Sequence, residues 1–158
     1  MTRLLPLAAL LLSIVPAQAQ EAQEAQALAE YWTNNGSLPP EYAWETTITI
    51  GDDGRLILKH CKGYQTDGCK TRRAKVTPEA LVAIRSAAIA SGLADKPARD
   101  TEMPIVGSGL TGGVVYLDGV KIILLEQPAD PDVPRVGKVL DAIAAAIPAR
   151  FDRFLNAE

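Results

Sequence analysis

The sequence predicts an α+β fold: a single antiparallel sheet made of two hairpins plus a third strand, packed on one face by two helices. Three observations predict it. Residues 44–60 and 114–125 place apolar side chains at every second position around glycine-containing turns, the period of strands. Residues 78–91 and 136–147 instead repeat apolar side chains every three or four positions, the period of helices. The 158 residues, 47% of them hydrophobic, suffice for one core and are too few for two.

Residues 1–19 read as a secretory signal peptide, with a basic start at Arg3, an apolar run from Leu4 to Val15 and the small-x-small ending Ala17-Gln18-Ala19. The run is shorter than a spanning helix and is interrupted by Pro6 and Pro16, so no transmembrane anchor is expected. The expected location is periplasmic or secreted, in a bacterium to judge by the compact signal, with the mature chain starting at Gln20. Loss of Arg3 takes the formal charge from -3 to -4. A balance of that sign argues against a general nucleic-acid binder.

Residues 20–42 are expected to form an N-terminal helix and a Pro-rich linker, leaving 43–158 as the domain proper. Leu28, Tyr31 and Trp32 stand at i, i+3 and i+4, which fits a helical turn over residues 20–33. Asn34-Asn35-Gly36-Ser37-Leu38-Pro39-Pro40 then reads as a loop.

The first hairpin follows. Trp44, Thr46, Ile48 and Ile50 share one strand face, and Leu56, Leu58 and His60 share one face of the next. A two-residue turn would put these sets on opposite sides, whereas a three-residue Asp52-Asp53-Gly54 loop pairs Ile50 with Leu56. Gly54 is then left-handed, and alanine there should cost more than alanine at Gly36, in a loop.

Counting by twos on the other face gives Arg55, Ile57, Lys59 and Cys61, then, past the 62–68 loop, Cys69, Thr71, Arg73 and Lys75. Both cysteines share this parity, and exported thiols usually pair, so a Cys61–Cys69 disulfide is expected. The competing reading is a metal site of His60, Cys61, Asp67 and Cys69. The Cys-x7-Cys spacing and the lack of a second histidine argue against it, and no metal or cofactor is expected.

Thr77-Pro78-Glu79 starts a helix with a hydroxyl cap, a proline whose missing N–H costs nothing and an acid at the positive dipole end. Its expected apolar stripe is Leu81, Val82, Ile84, Ala88 and Ile89, ending at Ser91-Gly92. Residues 93–111 read as a long surface loop around one short strand. Asp118-Gly119 is a two-residue hairpin turn that brings Val115, Leu117, Val120, Ile122 and Leu124 onto one face. Val114, Tyr116, Ile123 and Leu125 make the opposite face apolar too, so that face is expected to be covered. A closing helix carries Val136, Val139, Leu140, Ile143 and Ile147, stops at Pro148, and leaves a last helical turn around Phe151, Phe154 and Leu155.

The order of Asp-Gly hairpin, third strand Thr71-Arg72-Arg73-Ala74-Lys75-Val76, helix ending Ser91-Gly92-Leu93, second hairpin and closing helix resembles a family of small exported bacterial domains of unknown function, over about residues 43–147. That family carries an Asp-x-Pro before the second hairpin, from which Asp100 and Pro104 depart in spacing. The resemblance implies no catalytic residue.

Enzymatic readings find little support. A hydrolase of His60 with Ser108 would rest on Gly107-Ser108-Gly109, which is not a nucleophile elbow. Asp52-Asp53 and Asp100 with Glu102 are the candidate carboxylate pairs, the first belonging to a turn. The sharper signal is charge. Residues 55–75 hold seven basic side chains and one acid, a local +6 that leaves the rest of the mature chain at -10. Parity puts Arg55, Lys59, Arg73 and Lys75 on one outward face, either as a solvated face answered by Glu45 and the acidic remainder or as a binding strip. The expected function is therefore a non-enzymatic binding domain that uses this face or the 93–111 loop to engage an anionic envelope component or a periplasmic protein. The alternative is an inhibitor or assembly factor of a partner enzyme.

Overall fold

The structure, a computed structural model, describes residues 26–64 and 67–155. The signal peptide and the first half of the expected N-terminal helix lie outside the described residues. Six strands form one antiparallel sheet: β1 (Ala27–Asn34), β2 (Trp44–Gly51), β3 (Arg55–Lys62), β4 (Lys70–Lys75), β5 (Thr111–Leu117) and β6 (Val120–Leu124), in the order β4-β3-β2-β1-β5-β6. Helices α1 (Pro78–Ser91) and α2 (Val133–Ala146) pack against each other, and a 3-10 turn (Ala149–Phe151) leads into the short α3 (Asp152–Leu155).

The expected N-terminal helix is a strand over the described residues. Tyr, Trp and Thr suit a pleated surface, and the alternation Ala29, Tyr31, Thr33 fits a strand as well as Leu28, Tyr31, Trp32 fits a helix. Pairing decides between them. β1 sits between the hairpins, with Ala29 opposite both Ile50 and Val115 and Tyr31 opposite both Ile48 and Gly113. Every backbone group of a central strand finds a sheet partner, which one loosely docked helical turn could not match. Ala27–Asn34 is thus the strand that fuses two hairpins into one sheet.

Registers across the sheet follow from the turns. Ile50 pairs with Leu56 around Asp52-Asp53-Gly54, and Gly54 is left-handed at φ 79°. Leu117 pairs with Val120 around Asp118-Gly119, both residues with positive φ. Ala29, Ile50, Leu56, Val115 and Ile122 consequently fall in one row on the helix-covered face, and all are buried.

The two helices differ in how closely their buried faces follow the apolar period. In α2, Val136, Val139 and Ile143 are buried as the period predicts. In α1, Thr77 Oγ1 accepts from Ala80 N and Gly92 closes the helix in the left-handed region, as expected. Its buried face is Ile84, Ala87, Ala88 and Ser91, however, and Val82 and Ile89 are 62% and 71% exposed. Close packing against α2 selects alanine, so the small side chains take the interface and rotate the branched ones outward. Arg135 locks this arrangement by donating to the Ser91 and Lys96 carbonyls and to Asp132, which also accepts from Arg99 N.

The expected short strand in the 93–111 loop is an isolated bridge between Asp100 and Pro128. The expected cover on the outer face of the second hairpin is present at Val114, which is buried, and missing at Ile123, 53% exposed.

Gly36 reverses the expected ranking of the two loop glycines. It has φ 85°, and a Cβ there would stand 2.6 Å from the Ser108 carbonyl oxygen, whereas one at Gly54 would stand 3.0 Å from the Val76 oxygen. Gly54→Ala is expected to cost about 1 kcal/mol and Gly36→Ala about 2 kcal/mol, because only the latter adds a severe backbone clash to the strain of positive φ. Urea midpoints of the two variants check this, and a larger loss at Gly54 would refute the ranking.

Candidate functional site

The sheet face turned away from α1 and α2 carries the basic strip. β3 alternates strictly, with Leu56, Leu58 and His60 buried and Arg55, Ile57 and Lys59 exposed. Pairing with β4 sets Arg55 opposite Lys75, Ile57 opposite Arg73 and Lys59 opposite Thr71, so all four predicted strip residues stand on one face. Arg72, of the other parity, leaves the strip and lies over the Phe154 ring at 5.8 Å.

Charge along the strip is unevenly answered. Arg55 Nε meets the Asp53 carboxylate at 2.6 Å. The backbone N–H of Arg55, then its side chain and the Lys75 charge, hold the Asp53 carboxyl below its ordinary range. Lys59, Arg73 and Lys75 form no ion pair among the described residues. The turn carboxylate thus quiets one end of the strip and leaves the Lys59–Arg73 end open.

Cys61 and Cys69 are bonded to each other, with S–S 2.08 Å and Cα atoms 4.3 Å apart, as their shared parity predicts. The bond takes both thiolates away from the competing metal set and ties β3 to the entry of β4.

Lys59 also forms part of the floor of a groove of about 610 Å³, with Glu45, Thr47 and Cys61 beside it. Tyr64, Ile105 and Val106 line it as well, and so does Gly36, which packs against the Gly107–Ser108 backbone. The Ile105 wall is held at both ends. Gln127 Oε1 accepts from Ile105 N at 2.6 Å while its Nε2 donates to Ile105 O at 2.9 Å, and Asn34 Oδ1 accepts from Gly36 N and Leu110 N. With the backbone so clamped, Val106 is 87% exposed. Sequence reasoning missed this wall, since Gln127 and Asn34 reach it from distant segments, although Asn34-Asn35-Gly36 marks a tight turn.

His60 lies on the opposite, helix-covered face, whereas Ser108 lines the groove, so the sheet separates the two residues of the hydrolase reading. The Thr46 hydroxyl donates to the Phe154 carbonyl; its one proton being spent, His60 Nδ1 must donate to Thr46 Oγ1 at 2.8 Å. Burial, with the Lys62 and Lys70 charges, pushes His60 below its ordinary value. An unfolded histidine titrates near ~6.5, so between that value and the lower folded one the unfolded chain binds more protons. Stability is therefore expected to be full above about pH 6.5 and to fall as the solution is acidified below it. His60 is the sole histidine of the chain. Urea midpoints from pH 8 to pH 5 should decline in the wild type and flatten in His60→Gln, and equal slopes would acquit His60.

Of the carboxylate pairs, Asp53 accepts from Arg55 N as a turn residue, while Asp100 and Glu102 border a second groove beyond the 103–105 loop. No helix among the described residues is long and apolar enough to cross a membrane. No protein-family model and no curated protein matches this chain.

Proposed function

We propose that this chain is an exported, non-enzymatic binding domain whose helix-free sheet face docks an acidic segment of a partner protein. The observation that carries the reading is that Lys59 belongs both to the basic strip and to the groove floor. Arg73, diagonal to Lys59 on the strip and without an ion pair among the described residues, adds charge next to a groove lined by Tyr64, Ile105 and Val106, and Lys75 continues the strip toward Asp53. A bare polyanion would use the charges alone; an acidic polypeptide with apolar residues uses both parts. The signal-like start and the disulfide support a periplasmic or secreted setting.

Immobilised poly-L-glutamate tests the electrostatic half. Retention of the wild type should fall with rising salt, since the strip acts over a screening length of about 10 Å at 0.1 M. Arg73→Glu with Lys75→Glu should abolish retention while shifting stability by no more than about 1 kcal/mol, as exposed charges contribute little. A wild type with no salt-dependent retention leaves the strip a solvated face and overturns the reading.

A second reading makes the partner an enzyme whose cleft receives the loop. It rests on the clamp at Ile105, which presents Val106 without ordering cost on binding. Val106→Asp would then relieve inhibition of that enzyme, and would leave poly-L-glutamate retention intact.

A further inference from the structure

On the far side of the 103–105 loop lies a separate groove of about 780 Å³, within the roughly 300–1,000 Å³ range of small-molecule sites. One wall is α2, where Val133, Gly137 and Leu140 follow at i, i+4 and i+7 and so form one stripe. Met103 and Ile105 stand on the loop side, 85% and 68% exposed, and Leu125 lines it from the end of the second hairpin. The stripe has a gap at its middle. A Cβ added at Gly137 would meet nothing within 4 Å, so no packing among the described residues demands glycine there. Glycine in a helix interior is less favourable than alanine, and here its effect is to deepen the groove.

The charged groups around this apolar opening are mostly of one sign. Asp100, Glu102, Glu126 and Asp130 line it, against Arg99, whose guanidinium leans toward Asp132 at 3.9 Å. Glu126 accepts from the Trp32 indole N–H, and the other three carboxylates form no ion pair among the described residues. We propose that this groove binds a small apolar cation, a hydrocarbon body carrying an amine or quaternary ammonium group. The body lies along Val133, Gly137 and Leu140, and the charge sits among the rim carboxylates. An anion of the same shape meets like charge at that rim and is rejected.

The test uses decyltrimethylammonium below its micelle concentration, with decyl sulfate as the same chain of opposite charge and tetramethylammonium as the head without the chain. Amide resonances of Met103, Gly137 and Leu140 should shift saturably with the first probe. Decyl sulfate should bind about tenfold more weakly or worse, because several carboxylates lie within one screening length of the head. Tetramethylammonium should leave the spectrum unchanged. Gly137→Leu fills the gap and should abolish the shifts while its unfolding midpoint shows that the fold persists. Glu102→Lys with Asp130→Lys should weaken binding about tenfold, by the same screening argument. Equal affinity for decyl sulfate, shifts confined to other residues, or binding that survives Gly137→Leu would each overturn the proposal. Arg73→Glu with Lys75→Glu should leave this binding unchanged, so the outcome is independent of the acidic-partner reading.

Discussion

Gly113→Val is expected to cost about 3 kcal/mol or more, a large share of the roughly 5–15 kcal/mol that holds a domain together. Gly113 lies in β5, opposite Tyr31 of the central strand and Leu124 of β6, on the face that α2 covers. A Cβ there would stand 2.6 Å from the Glu30 carbonyl oxygen and 3.4 Å from both Leu124 Cδ1 and Leu140 Cδ2. The first neighbour is backbone of a strand paired on both sides, so relief requires β1 to move against β2 as well as β5. The two leucine side chains stand at ordinary contact distance, so the backbone oxygen sets the cost. A branched side chain therefore forces the β1–β5 ladder out of place. Urea denaturation should show a lower midpoint with an unchanged slope, and Gly137→Ala, whose Cβ meets open space, should instead leave the midpoint unchanged or raise it by the helix preference for alanine. A Gly113→Val loss within about 0.5 kcal/mol, the scale of an ordinary surface change, would show that the close approach of Gly113 to the Glu30 carbonyl is no constraint.

The parts of this fold that could be read from the sequence are those where two local signals agree. Ile48 and Ile50 face Leu56 and Leu58 only if the Asp52-Asp53-Gly54 loop has three residues, and a second count of parity, across the 62–68 loop, aligns Cys61 with Cys69 and Arg55 with Lys75. β1 was hidden because its two patterns conflict. Ala29 and Thr33 are weak core markers, and what makes this segment a strand is the pair of open strand edges on β2 and β5, which no local window contains. The phase of α1 failed for a related reason. Val82 and Ile89 outrank Ala87 and Ala88 in hydrophobicity, yet the close approach of α2 favours the smaller residues. The strip was legible because strand parity is local, and the groove was not, because Tyr64, Ile105 and Gln127 converge from separate loops.

The disulfide links that legible strip to the hidden groove, and its removal should have two separable effects. Cys61→Ser with Cys69→Ser should lower stability by about 2 to 3 kcal/mol, the loop-closure entropy restored to an unfolded chain once a short loop is no longer cross-linked. The bridge joins residues eight apart, at the end of β3 and the entry of β4. β4 is an edge strand whose only strand partner is β3, and four of its six residues, Lys70, Arg72, Arg73 and Lys75, are basic. Mutual repulsion therefore works against docking that strand, and without the covalent tie its start should fray first. Hydrogen exchange should speed at Lys70 and Thr71 well before the β1–β2 ladder responds. Cys61 lies on the floor beside Lys59, so the same loosening should weaken poly-L-glutamate retention by displacing Arg73 and Lys75 from Lys59. Adding reductant to the wild type should reproduce both effects, and the double variant should no longer respond to it. If exchange at Lys70 and Thr71 is unchanged while global stability drops, the bridge acts on the unfolded chain alone and has no part in shaping the binding face.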